Sequence, residues 1–389
     1  MRAPLVFLLV ASAIWAFAHY YVGRRIIRPL ELEGRKKALA WGLVWFLWLF
    51  GPITFVLGFS GVEGGWAVPF AVGSFTYMGV FFLLFAFVLV RDLALIPIRI
   101  HRWAKKQEMV DPDRRSFLTN ASNGAIAFVA AGLSSWGFVE ATRVSAVTTV
   151  DVPIDGLPEE LEGYRIVQLS DIHIGPTIKG GWLQEVVGAA NALEPDLVAV
   201  TGDLIDGYVD DLRPHVAPLG GLRARDGLFF VTGNHEYYWD VDAWCEEVER
   251  LGFSVLNNAH QTFRRGDATV VVAGATDYRA SRIREDHASD PEKALAGAPP
   301  AELKLLLAHQ PRSIDGAVRA GFDLQLSGHT HGGQFFPVSL FVGLAHPFSE
   351  GLGRRDRTWI YVNRGTGYWG PPLRAGVPSE ITLLRLVRA

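Results

Sequence analysis

Hydrophobic positions follow two different patterns along this chain. Over roughly the first third they form long unbroken runs, and beyond residue 163 they come in short blocks. "APLVFLLVASAIWAFAHYYV" (3–22), "ALAWGLVWFLWLFGPITFVLGF" (38–59) and "WAVPFAVGSFTYMGVFFLLFAFVLV" (66–90) are nearly continuous apolar sequence. Each run is long enough, as a helix, to cross a hydrocarbon core of about 30 Å. One such run alone could be a buried soluble helix, and the first alone could be a signal peptide. Three in series, rich in Trp and Phe, predict membrane spans. "NASNGAIAFVAAGLSSWGFVEA" (120–141) is a weaker fourth candidate because it carries Ser, Asn and Gly. Small residues of that kind suit helix packing inside a bundle.

The later blocks read differently. "YRIVQLSD", "PDLVAVTGDLIDG", "LFFVTGNHE", "ATVVVAGATDY", "KLLLAHQP", "FDLQLSGHTHGG", "TWIYVNRG" and "EITLLRL" predict strands. "WLQEVVGAANAL" and "VDAWCEEVERLG" predict amphipathic helices, the second stopped by Gly252. Strands that alternate with helices predict an α/β core with some parallel sheet. The closer spacing of the last strands predicts added antiparallel pairing. No internal repeat or low-complexity tract is visible. The chain therefore divides, by expectation, into a membrane region over 1–143 and a second domain over 144–389.

Charge sets the expected topology. Arg24, Arg25, Arg28, Arg35, Lys36 and Lys37 follow the first run. Arg91, Arg99, Arg102, Lys105, Lys106, Arg114 and Arg115 follow the third, whereas "SGVEGG" between the second and third has no basic residue. Positive charge stays on the cytoplasmic side, so the N-terminus is expected outside. If the fourth segment spans, everything after about Val144 is also outside; if it does not, the large domain is cytoplasmic. "DRRSFL" (113–118) resembles a twin-arginine export signal at an internal position; it also fits an ordinary positive-inside anchor. Both readings hold Arg114 and Arg115 inside. The expected location is the cell membrane, with the second domain extracytoplasmic. A net charge of -3 gives no footprint of a general nucleic-acid binder. The single cysteine, Cys245, excludes an intrachain disulfide and a thiolate-rich metal cage. The three strong runs show no buried ionic residue, which argues against a transport pathway.

Candidate chemistry sits where the later strands end. Asp171 and His173 end the first, Asp203 the second, Asn234 and His235 the third. His309 ends a later strand, and His329 and His331 end the next, within "GHTHGG". Singly, each has an ordinary explanation as a turn former, a cap or a satisfied buried histidine. Open α/β sheets, however, place ligands at strand carboxyl ends, which gathers all of these residues on one edge. Carboxylate, imidazole and amide oxygen without thiolate suit Mn, Zn or Fe. Seven protein ligands exceed one small ion and fit two, with Asp203 shared between ions about 3.5–4 Å apart. The glycines of "GHTHGG" are expected to turn the backbone so that the two histidines reach different ions. Gly233 is expected to let the chain approach a phosphate.

"DIHIG", "GDLIDG", "GNHE", "AHQP" and "GHTHGG", in this order, resemble the motif set of the calcineurin-like metallophosphoesterases. The resemblance covers roughly 164–386. It implies an α/β double β-sheet sandwich flanked by helices in four layers, here preceded by an all-α transmembrane region. It implies two divalent metal ions at one rim. Asp171, His173, Asp203 and His331 would hold the first, and Asp203, Asn234, His309 and His329 the second. His235 would be catalytic, beside the substrate. Glu236 stands where many members have Asp, at a position that is not a ligand. "NRGTGYWGPPLRAGVPSEITLL" (363–384) resembles the ending of a membrane-anchored branch, some of whose relatives are exported by a twin-arginine signal.

The implied activity is phosphoester hydrolysis by attack of a metal-bridging hydroxide, with a phosphatase or a phosphodiesterase equally open. His235 would stabilise phosphoryl oxygens or protonate the leaving alcohol. Attachment to the membrane favours a lipid-linked or envelope phosphate ester, with membrane lipids as neighbours. No nucleic acid is expected and no protein partner is indicated. Two alternatives stay open: a hydrolase of soluble phosphodiesters or nucleotides with the helices as a tether, and a non-catalytic metal-binding sensor or scaffold. Asp206 is either a partner for a metal-site histidine or a helix cap. The aromatics of "EYYWD" and "TGYWGPP" either line the mouth of the site or pack structurally.

Overall fold

The long apolar runs fold as helices because a bilayer-length segment must satisfy its backbone internally. The computed structural model describes residues 2–60, 66–105 and 111–389. Most of "SGVEGG" and the basic Lys106 lie outside the described residues. The helices are α1 (Arg2–Ile27), α2 (Gly34–Ser60), α3 (Ala67–Ala94), α4 (Ile96–Ala104) and α5 (Pro112–Thr142). Among the described residues, Gly34–Thr54, Ala67–Ala104 and Asp113–Thr142 are long and apolar enough to cross a membrane. The weaker fourth candidate is thus one of them. It begins earlier than its apolar core and takes Arg114 and Arg115 into its first turns.

One expectation needs correction. The first run carries His19, which is buried and bonded through Nε2 to the Tyr77 hydroxyl at 2.6 Å. Just past the third run, buried Asp92 meets Arg25 at 2.5 Å and Arg91 at 3.1 Å, and accepts from the Tyr21 hydroxyl. The helical region therefore does bury ionisable groups, each with a partner, as removal from water requires. Chain contacts divide the protein into two compact units, Met1–Phe138 with Gly370–Leu373, and Val139–Trp369 with Arg374–Ala389.

The second unit opens with β1 (Ala146–Ile154) and β2 (Arg165–Leu169). Then come α6 (Gly180–Asn191), β3 (Leu197–Val200), α7 (Val209–Val216) and β4 (Leu228–Phe230). These are followed by α8 (Asn234–Tyr238), α9 (Val241–Arg250), β5 (Ser254–Val255), β6 (Ala259–Arg265) and β7 (Ala268–Ala275). After α10 (Pro291–Leu295) come β8 (Leu303–Ala308), α11 (Ile314–Ala320) and β9 (Leu324–Ser327). The chain ends with β10 (Gly351–Arg355), β11 (Thr358–Val362) and β12 (Glu380–Arg388).

These strands make two six-stranded sheets, ordered β1-β12-β2-β3-β4-β5 and β10-β11-β9-β8-β7-β6. β2 to β5 run parallel in the first, and β7, β8, β9 and β11 in the second. The expected antiparallel pairing appears at β12 with β2, β10 with β11, and β6 with β7. β11 and β12 also make parallel pairs, with β9 and β1. β1, β5, β6 and β10 escape the apolar reading. β1 and β6 face water along much of their length, and β5 has only two residues.

Alternation along the central strands explains the layering. Ile166, Leu197, Ala199, Leu305, Leu307, Leu324 and Leu326 meet between the two sheets. Their neighbours Val167, Val198 and Val200 face outward under α6, α7 and α9. Leu306 and Ala308 face outward under α10 and α11. Both faces of the central strands are therefore covered, so those strands read as unbroken apolar runs. The result is helix, sheet, sheet, helix: an α/β sandwich in four layers. Leu305 has no exposed surface within the inter-sheet core. Leu305→Ala should cost about 2–5 kcal/mol, seen as a lowered thermal midpoint of the purified chain; an unchanged midpoint would contradict this packing.

Candidate metal centre

Parallel strands from both sheets end at one rim, and the chain carries its polar residues there. The first sheet delivers Asp171 and His173 after β2, Asp203 after β3, and Asn234 and His235 after β4. The second delivers His309 after β8, and His329 and His331 after β9. All eight predicted residues come to this rim. Asp171, His173 and His331 form one group whose ligand atoms lie within 4.8 Å of one another. Asp203, His309 and His329 form a second, and His173, Asp206 and His235 form a third. Asp203 Oδ2 stands between the first two, 3.1 Å from His309 Nε2 and 4.0 Å from His173 Nε2.

The donor set can be tested for fit. Metal–nitrogen bonds of about 2.0–2.1 Å leave neighbouring ligand nitrogens roughly 3.0–3.4 Å apart. His173 Nε2 and His331 Nε2 are 3.1 Å apart, and His309 Nε2 and His329 Nδ1 are 3.2 Å apart. Asn234 Oδ1 is a buried oxygen with no hydrogen-bond partner. Such an orphan normally costs stability, and a cation would satisfy it. The residues therefore suit the binding of divalent metal ions.

The backbone here is strained. Asp171, His173, Asp203, His329 and His331 have φ of 51°, 54°, 51°, 71° and 51°. Left-handed conformations of non-glycine residues cost on the order of 1–3 kcal/mol each. Surrounding bonds hold them in place. His329 N–H donates to both Asp171 oxygens at 3.0 Å, and His235 N–H donates to Asp203 Oδ1 at 2.9 Å. Glu236, fully buried, accepts from Gly233, Asp203 and Leu204 N–H at 2.6, 3.1 and 2.7 Å. In "GHTHGG" the turn is shared: Gly332 and Gly333, as expected of glycines, have φ of 57° and 80°, and His329 and His331 join them in the left-handed region. At Gly233 a Cβ would lie 2.3 Å from Asp203 Oδ1, so the missing side chain lets the backbone pass close to that carboxylate.

Electrostatics separate the groups. Burial alone would raise Asp203, but His309 and His235 outweigh it and hold the carboxyl well below its usual range. Asp171 behaves alike, burial being overcome by His331 and then His309. Burial would lower His235, yet Asp203 and Asp206 raise it to about 9. Burial takes His329 down to about 3, helped by His309, and takes His331 down to about 4 against Asp171. His309 differs: burial would lower it, but Asp203 and then Asp171 hold it well above its ordinary value, so it must give up a proton to bind a cation. His309 Nδ1 lies 2.8 Å from the Thr201 carbonyl, which leaves Nε2 for the centre.

Partners behind the site complete it. Asp206 Oδ1 bonds His235 Nδ1 at 2.5 Å, and Oδ2 approaches His173 Nδ1 to 3.2 Å without hydrogen-bond alignment. It is therefore the histidine partner of the two readings, and Tyr208 takes the N-cap of α7. Arg374 went unnoticed in the sequence. It is wholly buried, bonds the Arg364 carbonyl at 2.7 Å, and points Nη2 at His331 Nδ1, 3.0 Å away. A guanidinium only donates, so that nitrogen must accept. The one hint was an arginine set inside the apolar, proline-rich "GPPLRAG". His346 was also missed; its ring lies 5.2 Å from that of His329. Burial, Arg312 and Arg279 hold it below its ordinary value. Of the expected aromatics, Tyr237 and Tyr368 are buried. Tyr238 and Trp369 are exposed, with rings 5.2 and 6.1 Å from His235.

Residues 164–333 match the family model described as "Calcineurin-like phosphoesterase". A "Transmembrane protein with metallophosphoesterase domain" from Danio rerio is 35% identical over 98% of this chain and 89% of its own. One of the same description from Bos taurus is 38% identical over 82% of this chain and 74% of its own. An "Uncharacterized metallophosphoesterase" from Helicobacter pylori is 36% identical over 71% of this chain and 73% of its own. With the order of its motifs and the donor set at its rim, the chain belongs to the calcineurin-like metallophosphoesterases and is a metal-dependent phosphoester hydrolase with apolar helices ahead of its hydrolase fold.

Proposed function

We propose that this protein hydrolyses a lipid-linked or envelope phosphate ester at a dinuclear metal centre. Asp171, His173, Asp203 and His331 hold one divalent ion; Asp203, Asn234, His309 and His329 hold the other. When bound, such a pair supplies Lewis acidity toward phosphate oxygens and lowers the pKa of water toward neutrality. The observation that carries this reading is the pair of ligand groups meeting at Asp203 Oδ2.

The remaining roles belong to the chain's own side chains. His235 touches the substrate and is the catalytic residue. Asp206 fixes its Nδ1, which leaves Nε2, 3.9 Å from Asp203 Oδ2, to donate a hydrogen bond or a proton. Its targets are a phosphoryl oxygen or the departing alkoxide. Asn234 supplies an oxygen without added negative charge, so its ion keeps more of its pull on phosphate. Tyr238 and Trp369 offer exposed faces beside His235, where an apolar or ring-bearing leaving group can lie.

The location follows from charge and span count. α5 acts as the last span, Arg114 and Arg115 stay in the cytoplasm, and the hydrolase unit stands outside the cell membrane. A lipid or envelope ester then shares its compartment with the site.

Asp203→Asn should remove both ions, measured by elemental analysis, and cut hydrolysis at least about a hundredfold; full metal content would refute the shared carboxylate. His235→Ala should keep most of the metal and slow turnover by roughly a hundredfold to ten-thousandfold. Wholesale metal loss in that variant would make His235 a ligand instead. A reporter fused after Ala389 should read as extracytoplasmic, and a cytoplasmic signal would remove α5 from the spans.

A further inference from the structure

The turn that carries His331 leads into a segment no step of the hydrolysis uses. Residues 335–349, "FFPVSLFVGLAHPFS", contain no Asp, Glu, Lys or Arg. The segment leaves beside the metal site and returns to it, where the Thr330 hydroxyl donates to the Ser349 carbonyl at 2.6 Å. Between these points it forms a short 3-10 turn, Val338–Leu340, and α12 (Val342–Ala345). Leu340, Phe341 and Leu344 are 66%, 59% and 87% exposed. Single exposed apolar residues are ordinary, but three within five positions make a patch.

The surroundings of that patch are basic. Arg312 donates to the Ala345 carbonyl at 2.6 Å, and exposed Arg279 lies near enough to depress the proton affinity of His346. Neither arginine forms an ion pair among the described residues. Nearby acids do not cancel them. Asp277 is buried and bonded to Gln310 Nε2 and to the Arg279 N–H, and Glu350 lies beyond the apolar stretch. Apolar tips with guanidinium groups that form no carboxylate pair beside them match a bilayer surface, acyl chains below and anionic headgroups above. The same chain carries three helices able to cross a membrane, so that surface is always at hand. A soluble protein partner would need its own complementary patch and has no such support here.

We propose that Leu340, Phe341 and Leu344 dip into the lipid bilayer and present its headgroup phosphate esters to the metal centre. The substrate part rests on the hydrolase reading above; the seating on lipid does not. Arg279 and Arg312 receive the anionic headgroups at the rim, and the scissile ester enters past His346 and His329.

The test uses the full chain in vesicles of phosphatidylcholine with a minor share of phosphatidic acid, with and without phosphatidylglycerol. In a Cys245→Ser background, Leu344→Cys carries an environment-sensitive fluorophore. A control label at Asp267→Cys sits in the β6–β7 turn, at the start of β7 and so away from the strand ends that build the site. Lipids brominated along their tails should dim the first label about twofold or more and leave the second unchanged. A combined Leu340→Ser, Phe341→Ser, Leu344→Ser variant should hydrolyse phosphatidic acid in the bilayer about tenfold more slowly. Its rate on soluble bis-p-nitrophenyl phosphate should stay within about twofold of the parent, because no ligand has changed. Equal dimming of both labels overturns the proposal. So does self-quenching that rises with protein density, which would mark a second copy as the occupant, or an equal loss on both substrates. If the parent chain hydrolyses no ester at all, the hydrolase reading fails, and the quenching experiment still decides the seating on lipid.

Discussion

Asp203 is the joint on which the two halves of the site depend. Its carboxylate is buried, and a lone buried carboxylate would be strongly unfavourable. Imidazoles delivered by both sheets make it tolerable, with His309 3.1 Å away and His173 and His235 at 4.0 and 3.9 Å. The same residue accepts from the His235 N–H, and its own N–H is held by Glu236. Strand ends from separate sheets are thus tied together through one side chain. Without it each sheet would keep only part of a donor set.

Holding that arrangement has an energetic consequence. Five of the clustered residues sit in left-handed backbone, a conformation their Cβ atoms disfavour. Such strain persists only where the surroundings over-determine it. Here the apolar layer between the sheets, where Leu197, Leu305 and Leu324 are fully buried, supplies a rigid base. Above it, Asp206, Thr201 and Arg374 fix the histidine rings from behind. Ring orientation and tautomer are then settled before any ligand arrives, which is what preorganisation of a metal centre requires.

The same turn that holds His331 also launches the apolar segment ending at Ser349. The rim residue His331 and the exposed apolar tips Leu340, Phe341 and Leu344 therefore lie on one continuous short stretch of chain. Tyr238 and Trp369 give the His235 side an exposed aromatic face of its own.

Contiguity explains what was readable from the chain alone. Bilayer-length helices, strands buried on both faces and a cluster of potential ligands after β2, β3, β4, β8 and β9 are local signals, carried by neighbouring residues. So were the eight rim residues from Asp171 to His331, because each directly follows an apolar block. Edge strands were not, since β1 and β6 face water and lack the apolar signature. Nor was the return of β12 to the first sheet beside β1 and β2, or the placing of Arg374 behind His331. His19 meets Tyr77 across helices, and Tyr238 is exposed while its neighbour Tyr237 is buried. Those outcomes depend on pairing between segments far apart in the chain. Residue type and spacing decide which elements form; only packing decides which polar group each buried side chain will face.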